Sequence, residues 1–386
     1  MLYKNIILIG PSSTRGKFNY GGGVGGYLSN LIRYKEMLDK KFDVQVYQIS
    51  TRNSRSKFLA YINFPIRFFS DILGFLVIIL KSSSNGKKSI IHILGQYRDS
   101  LYREIFFVFI ASFFSYPIVY DIRAGSFITS YKSRGPLYKI LIKELVKKSN
   151  SILVESRRYS DFLLEEFKKE SYYIPNFVSN DLVNSSSLIN NSSLIDSNII
   201  NILFVGYAYK YKGIYQMMEA CKILNNTNLK VKLHLAGSIQ EDVYKSNLFQ
   251  QLKNKEIIIE HGVLRNNRVY ELMSKSSIYL YPSMHPGEGH NNSVNEAACH
   301  ALPMIISQNG FLTELFDDTE AYFLTNLINI QPNEIVSKVK EISKDVNAAM
   351  KRAEKARKKV YSKYSADAVL SSLLKAYLNS TKLFIK

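Results

Sequence analysis

The sequence predicts an α/β protein of two doubly wound, Rossmann-like domains, whose ligand crevices are expected to face each other. Short apolar runs of β type alternate with longer helical patterns, which is typical of parallel sheets covered by helices. The alternation occurs twice, on either side of a stretch rich in Ser and Asn. At 386 residues the chain is long enough to bury two separate cores.

The first domain is expected to span 1–176. Its strands are predicted at 5–10, 43–49, 89–94, 117–122, 151–156 and 171–176. Its helices are predicted at about 24–38, 62–81, 98–114, 133–148 and 157–169. The apolar segment 105–120 is shorter than the roughly 20 residues of a membrane span and contains Pro117. It therefore indicates a buried helix, a turn and a core strand.

Residues 177–200 are expected to be a linker, and 201–365 a second domain. Strands are predicted at 201–206, 231–237, 257–262, 277–282 and 303–307. Helices are predicted at about 213–225, 240–254, 266–275, 293–301, 311–316 and 333–362. A last helix, at 366–383, is expected to cross back so that 366–386 completes the first domain. Ligands of open α/β sheets bind at the carboxyl ends of strands, so a ligand between the domains is expected.

The composition indicates a soluble, basic protein of a reducing compartment. Two cysteines, Cys221 and Cys299, lie far apart in apolar helical patterns, which predicts a cytoplasmic location. The net charge is +19, and residues 1–180 hold 27 Lys/Arg against 13 Asp/Glu. Basic and aromatic residues are interleaved at 52–81 and 131–148, as in interfacial membrane contacts, although amphipathic helices with a lysine-rich outer face are an equal alternative.

The glycine-rich segment 16–32 contains G-x-G-x-x-G, starting at Gly21. Ten residues separate it from Gly10 at the strand end, whereas a dinucleotide fingerprint needs a tight turn. A nicotinamide or flavin site is therefore not predicted. Gly22 and Gly23 could instead approach a phosphate or an acceptor at a helix N-terminus. The alternative is a flexible loop that uses glycine for its backbone freedom.

A second basic loop follows the strand at 201–206. It holds Lys210 and Lys212 directly before a helix start, a position that suits a diphosphate clamp. The loop lacks G-x-x-x-x-G-K-[ST], so it is not a P-loop. Lys212 considered alone could equally be a surface lysine.

The segment "HPGEGHNNSVNEAACH" (285–300) does not fit a metal site. Metalloprotease histidines must share one face of a helix, and Pro286 with two glycines prevents a helix here. The chain also has no Asp-x-Asp to hold a divalent metal. A structural alternative explains part of the segment, because Ser293 and Glu296 fit a capping box. Glu288 has no such structural explanation.

A functional interpretation covers the whole segment. A glycine-rich loop would carry Glu288 beyond the strand end, and the N–H groups of 291–294 would bind a diphosphate at the helix N-terminus. Carboxylates accept hydrogen bonds from sugar or ribose hydroxyls, so Glu288 and Glu296 would hold the two ends of a sugar nucleotide. The predicted donor-binding residues around them are Gly289, His290, Asn291, Asn292 and Ser293.

These motifs resemble the retaining glycosyltransferases of family 4, and the resemblance implies their GT-B fold, in which two Rossmann-like domains face each other across a cleft. "GEGHNNSVNEAACHALPMIIS" is similar to their E-x7-E signature and following helix and strand, and "ILFVGYAYKYKG" to their phosphate loop. "YYIPNFV" and "GPSS…GGGVGGYLSNLI" resemble two further family segments. The resemblance covers nearly the whole chain and is most specific in its second half.

The resemblance implies roles for several residues. Glu288 would contact the transferred sugar, Glu296 the ribose and Lys212 the diphosphate, while the region around Leu264 would line the base. Such enzymes need no metal or other cofactor. The family's phosphate-loop arginine is Tyr207 here, which leaves Lys210 or another residue as the second cation.

At the first-domain strand end where the family often has a histidine, "VYDIRAG" offers Asp121 or Arg123 as candidate catalytic residues. The resemblance implies a hexosyl- or N-acetylhexosaminyl-type transfer from a nucleotide-diphosphate sugar. The acceptor would be a glycan or an undecaprenyl-linked oligosaccharide in bacterial O-antigen, lipopolysaccharide or capsule synthesis.

The basic first domain would then lie on the anionic cytoplasmic face of the inner membrane. Two alternatives remain at this point: a GT-B sugar-nucleotide epimerase, and a non-catalytic basic protein that binds membranes or nucleic acid. No nucleic-acid motif is present, so nucleic acid is not an expected partner.

Overall fold

The computed structural model describes residues 3–11, 22–34, 43–49, 57–84, 88–95, 100–123, 125–186, 199–326 and 329–385. The chain divides into two compact units, each with its own parallel sheet. The first unit is Met1–Asn176 with Asp367–Lys386, and the second is Phe177–Ala366. Among the described residues, no helix is long and apolar enough to cross a membrane.

The first sheet has six parallel strands in the order β2-β1-β3-β4-β5-β6. They are β1 (Tyr3–Pro11), β2 (Asp43–Ile49), β3 (Lys88–Gly95), β4 (Ile118–Ile122), β5 (Ser151–Val154) and β6 (Tyr172–Tyr173). Every residue of β4 and β5 is buried, as expected for central strands covered on both faces. The predicted six strands are all present in this unit.

The described helices of the first unit lie between these strands and after the second unit. They are α1 (Gly22–Arg33), α2 (Lys57–Ser84), α3 (Leu101–Phe113), α4 (Phe127–Ser133), α5 (Pro136–Lys148), α6 (Arg157–Phe167) and α16 (Ala366–Ile385). The prediction of one helix at 133–148 misses α4, because Gly135 and Pro136 end one helix and start another. The last helix packs on the first sheet, where Ser151 donates a hydrogen bond to the Ala376 carbonyl at 3.3 Å.

The second sheet also has six parallel strands, in the order β12-β11-β10-β7-β8-β9. They are β7 (Ile199–Val205), β8 (Lys230–Ala236), β9 (Ile258–Gly262), β10 (Ile278–Tyr281), β11 (Met304–Ser307) and β12 (Tyr322–Leu324). The edge strand β12 was not predicted, because three residues are too few to show a period. Two parallel six-stranded sheets confirm the predicted fold class.

The described helices of the second unit differ from the prediction at three places. The first is the predicted helix at 240–254, which is wrong as a single helix because Ser246 caps a second one. The helices are α7 (Asn180–Ser186), α8 (Ile214–Asn225), α9 (Glu241–Tyr244), α10 (Asn247–Asn254), α11 (Asn266–Ser274), α12 (Asn292–Cys299), α13 (Leu312–Leu315), α14 (Pro332–Lys344) and α15 (Val346–Lys363). The predicted single helix at 333–362 is wrong, because Asp345 ends α14 and its side chain caps Ala348 of α15. The start of the predicted linker forms α7 and buries Leu182, while 187–198 lies outside the described residues.

A candidate active site at the edge of the second sheet

Two sequence-predicted loops meet at one edge of the second sheet. Strands β7 and β10 are parallel neighbours, with Ile278 opposite Ile202, so their carboxyl ends lie side by side. The loop after β7 carries Lys212, and the loop after β10 carries Glu288. Gly213 closes the first loop with a φ of 74°, and a Cβ there would lie 2.3 Å from the Pro282 carbonyl oxygen. The close packing of the two loops therefore requires glycine at this position.

Lys212 and Glu288 form an ion pair. The Lys212 Nζ donates to the Glu288 Oε2 at 2.6 Å, and the two side chains are 16% and 6% exposed. Ser283 also donates to Oε2, and Tyr281 donates to Oε1 at 3.0 Å. Both carboxylate oxygens are therefore held by the protein, so Glu288 has a fixed position at the end of β10.

Tyr281 connects this pair to the next helix. Its buried hydroxyl accepts hydrogen bonds from Lys212 and from the Asn291 amide, the latter at 2.6 Å, while it donates to Glu288. Burial, followed by the negative charge of Glu288, raises the pKa of Tyr281 well above its usual value. The phenol therefore stays protonated and keeps its donor role toward the carboxylate.

The backbone of the Glu288 loop is fixed from the β11 side. Asn309 donates to the carbonyl oxygens of Ser283 at 3.0 Å and His285 at 2.8 Å. Gly310 has a φ of 58°, and a Cβ there would lie 2.3 Å from the Glu288 carbonyl oxygen. Glycine is required at this contact for both its conformation and its size.

Helix α12 begins with an asparagine cap. The Asn291 Oδ1 accepts hydrogen bonds from the backbone N–H groups of Ser293 at 2.9 Å and Val294 at 3.3 Å. Asn291 is therefore the N-cap, and the predicted capping box of Ser293 and Glu296 is wrong. Two of the N–H groups expected to be free for a diphosphate are satisfied by this cap. Ser293 instead bonds through Oγ to the Tyr279 hydroxyl at 2.6 Å.

The other residues near the start of α12 that were predicted to bind the donor are Gly289, His290 and Asn292, and they differ in their hydrogen bonding and packing. The Asn292 Oδ1 is buried and has no hydrogen-bond partner among the described residues. His290 is buried, and its Nε2 bonds to the Asn295 Nδ2 at 2.8 Å while its ring meets that of Tyr364 edge-on. The His290 side chain is therefore part of the packing of α12, whereas Gly289 lies half-buried in the loop.

Glu296 lies one turn into α12 on a partly buried face. Its Oε1 accepts a hydrogen bond from the Tyr270 hydroxyl at 3.5 Å. Burial of the carboxyl raises the pKa of Glu296 to about 7, and the Tyr270 hydrogen bond opposes that shift. A carboxyl with this pKa changes charge near neutral pH, which is typical of groups in ligand sites.

Two other residues that were predicted to bind the sugar donor, Lys210 and Leu264, lie in loops of the second unit. Lys210 is exposed in the short 3-10 turn that also holds Lys212, and Leu264 is half-buried after β9, where it packs against the core. Sequence reasoning missed the aromatic cluster of the Lys212 loop, in which Tyr207 stacks on Tyr209 with ring centroids 5.2 Å apart. It also missed Tyr281, because alternation marks it only as a strand residue.

The first-unit candidates are separate from this cluster. Gly22 and Gly23 form the first turn of α1, and the glycine-rich residues before them lie outside the described residues. Asp121 is fully buried at the end of β4, where the Arg123 Nε donates to its Oδ1 at 2.7 Å and His92 bonds to its Oδ2 at 3.3 Å. Burial would raise the pKa of Asp121, but the Arg123 charge and the His92 hydrogen bond lower it below its usual value.

The buried network around Asp121 extends to the last helix. The His92 Nδ1 bonds to the Tyr377 hydroxyl at 2.7 Å, and the Arg123 Nη1 donates to the Asn176 Oδ1 at 3.2 Å. Asp121 and Arg123 therefore have structural partners for their charges, and their predicted catalytic roles stay predictions. Within the described part of the chain, no group of three or more His, Cys, Asp or Glu side chains is arranged to hold a metal ion.

Comparison with known proteins shows what the second unit is similar to. Residues 186–359 match the family model described as glycosyl transferases group 1. A protein of Klebsiella pneumoniae described as an uncharacterized 41.2 kDa protein in the cps region is 22% identical over 322 residues, which cover 81% of this chain and 84% of that protein.

Solved structures show the same fold over the full chain. A glycosyltransferase from Rickettsia africae aligns with a TM-score of 0.69 at 16% identity, over 98% of this chain and 99% of that one. The fold is GT-B. Sucrose-phosphate synthase from Thermosynechococcus elongatus aligns at 0.72 with 14% identity, over 99% and 100% of the two chains. Anabaena HepE, solved with UDP, aligns at 0.68 with 13% identity, over 97% and 99%. Residues 186–359 are thus similar to the group 1 glycosyl transferases, and the chain as a whole shares the fold of the solved glycosyltransferase.

Proposed function

We propose that this protein is a retaining glycosyltransferase that moves a sugar from a nucleotide-diphosphate donor to a glycan acceptor. The observation that carries the proposal is Glu288, a buried carboxylate fixed at the carboxyl end of β10 beside Lys212 and the start of α12. Carboxyl ends of parallel strands are where open α/β folds bind ligands. UDP in the solved HepE structure supports a nucleotide-sugar donor for this GT-B fold.

The Lys212–Glu288 ion pair suggests how the nucleotide-sugar donor would bind. In the structure, the Lys212 ammonium pairs with the Glu288 carboxylate at 2.6 Å. A diphosphate would compete for the same ammonium, so Lys212 would move toward the leaving group and would leave the Glu288 Oε2 open to the transferred sugar. Lys212 and the N-terminus of α12 would then stabilise the charge that develops on the diphosphate, without a metal. Glu296 would accept hydrogen bonds from the ribose hydroxyls.

The acceptor is proposed to be a lipid-linked glycan in bacterial capsule or O-antigen synthesis, with hexose or N-acetylhexosamine as the transferred sugar. The Klebsiella relative in a cps region supports the surface-polysaccharide context. The basic balance of the first 180 residues suits an acceptor held at an anionic membrane.

The test combines a ligand screen with a matched pair of variants. Nucleotide sugars that bind the native state raise its thermal midpoint, which identifies the donor. Glu288→Gln should then lose at least about a hundredfold in transfer rate, corresponding to roughly 2.7 kcal/mol of transition-state stabilisation.

Glu320→Gln is the control, because Glu320 also pairs with a lysine at 2.6 Å, Lys359, and those side chains are 11% and 17% exposed. Full activity of Glu288→Gln would contradict the proposal, as would equal losses in both variants. Release of an isomerised nucleotide sugar without acceptor would instead indicate an epimerase. The anomeric configuration of the product, read by NMR, tests retention.

A further inference from the structure

Helices α2 and α3 of the first unit expose large apolar side chains in two regular stripes. On α2 the stripe repeats at three- and four-residue intervals, and its members are Ile66, Phe69, Leu73, Val77 and Leu80. On α3 it consists of Tyr102, Phe106, Phe109 and Phe113. Phe113 is 84% exposed and Ile66 is 69% exposed. We call these two stripes the apolar face.

The apolar face is not the surface that packs on the sheet. Asp71, Phe75 and Ile79 of α2 are buried, and their positions lie about half a helical turn from the exposed stripe. Helix α2 is therefore apolar on two opposite sides, and so is α3, where Phe107, Val108 and Ala111 are buried. A helix that only covers a sheet has one apolar side. At 1.5 Å per residue, the α2 stripe from Ile66 to Leu80 is about 21 Å long.

The two stripes lie side by side. Phe68 of α2 meets Phe106 of α3 edge-to-face, with ring centroids 5.5 Å apart. The Arg103 Nη1 donates to the Asp71 Oδ2 at 2.6 Å, which links the two helices a second time. An exposed aromatic and aliphatic surface of this extent is unusual on a soluble protein and indicates a binding surface.

The charges around the apolar face are basic. Each of the two helices has a single acidic residue, Asp71 on α2 and Glu104 on α3, and both are buried. The neighbouring helix α5 holds four lysines against one glutamate, and the Lys148 Nζ lies 5.0 Å from the centre of the Phe109 ring. Lys143 and Lys147 of α5 are exposed. An anionic partner therefore fits this surface, and a second copy of the same basic face would be repelled.

We propose that the apolar face docks this protein on an anionic lipid bilayer, with the aromatic side chains at the boundary between headgroups and acyl chains and the α5 lysines at the headgroups. Helices with an apolar side and flanking lysines bind in the plane of the membrane interface. Anionic headgroups add attraction for each lysine within a Debye length. The inference goes beyond the proposed reaction and does not depend on it, because docking needs neither donor nor acceptor.

The experiment measures sedimentation of the full-length protein with vesicles of phosphatidylcholine alone or mixed with phosphatidylglycerol. We expect binding to the mixed vesicles that weakens as salt rises, because screening reduces the attraction of headgroups for lysines. The double variant Phe109→Ser with Phe113→Ser should weaken binding at least about tenfold, since each ring loses apolar area from the bilayer. Leu164→Ser is the control, because Leu164 is exposed on α6 and lies outside the apolar face.

A charge-reversal pair tests the headgroup contribution. Lys143→Glu with Lys147→Glu should reduce binding to the mixed vesicles at low salt about tenfold, whereas Lys245→Glu, an exposed lysine of the second unit, should not change it. Thermal unfolding and transfer to a soluble acceptor analogue show that each variant is folded, and they keep failure of docking separate from failure of the reaction.

Three outcomes would overturn the proposal. The first is a wild-type protein that stays in the supernatant with mixed vesicles at low salt. The second is undiminished binding of the double serine variant. The third is a wild-type dimer in solution that Phe113→Ser dissociates, because the apolar face would then be a contact between two copies of the chain.

Discussion

Removing one hydroxyl group tests whether Tyr281 positions the candidate active site. Tyr281→Phe keeps the ring that stacks on Phe204 with centroids 5.9 Å apart, and deletes only the oxygen that joins Lys212, Glu288 and Asn291. A buried hydrogen bond to a charged group contributes about 1.5–3 kcal/mol. Some of that loss is recovered when the loop relaxes, so we expect the free energy of unfolding to fall by about 1–3 kcal/mol.

The effect on activity should be larger in kcat than in KM. Without the phenol, the Glu288 Oε1 loses its donor, and the carboxylate can rotate toward Lys212. For Tyr281→Phe we expect a loss of about 1.4–2.8 kcal/mol in transition-state stabilisation, which lowers kcat/KM about 10–100-fold. The assay is steady-state transfer with the donor that the ligand screen identifies, together with thermal unfolding of the same samples.

The same strand supplies a matched control. Tyr279 is also fully buried on β10, but its hydroxyl bonds to Ser293 and not to Glu288. Tyr279→Phe should lose about 1 kcal/mol of stability and keep kcat/KM within roughly threefold of the wild type. Wild-type activity in Tyr281→Phe would refute the positioning role, and so would an equal loss of activity in both variants.

Three further outcomes follow from other parts of the structure. Gly213→Ala should lower the free energy of unfolding by more than about 2 kcal/mol, because its Cβ would meet a backbone carbonyl at 2.3 Å. Gly262→Ala is the control, because Gly262 also has a positive φ but lies in open space, and it should lose about 1 kcal/mol. Chemical denaturation measures both. The raised pKa of Glu296 means that the native state binds more protons than the unfolded state between about pH 4.5 and pH 7, so the free energy of unfolding should fall as pH rises through this window. In Glu296→Gln, melting temperatures measured across the window should lose this dependence on pH. Asp121→Ala removes the ion-pair partner of a buried guanidinium and should cost about 3–5 kcal/mol in urea unfolding. Glu271→Ala, in an exposed ion pair, should leave the urea midpoint nearly unchanged.

The basic charge of the first domain is visible in the sequence, whereas the apolar face is visible only in the structure. The interleaving of basic and aromatic residues at 52–81 and 131–148 is visible in the sequence, but it fits a membrane contact and an ordinary amphipathic helix equally well. The exposure of Ile66 and Leu73 and the burial of Asp71 and Phe75 show which side of α2 packs inward and which side is left open. A linear pattern cannot show this when both sides of a helix are apolar.

The sequence by itself determined the two-domain α/β class and most strand positions, because strand–helix alternation has few structural explanations. It also singled out Glu288 as a candidate, because no capping role explains a glutamate in this Pro-Gly loop. It misassigned the start of α12, because Ser293 and Asn291 are both good caps and only the backbone geometry selects Asn291. It could not pair Lys212 with Glu288 through Tyr281, since these residues are up to 76 positions apart and meet only because β7 and β10 are neighbours in the sheet. Strand order is a property of the tertiary structure, and it decides which loops share an edge.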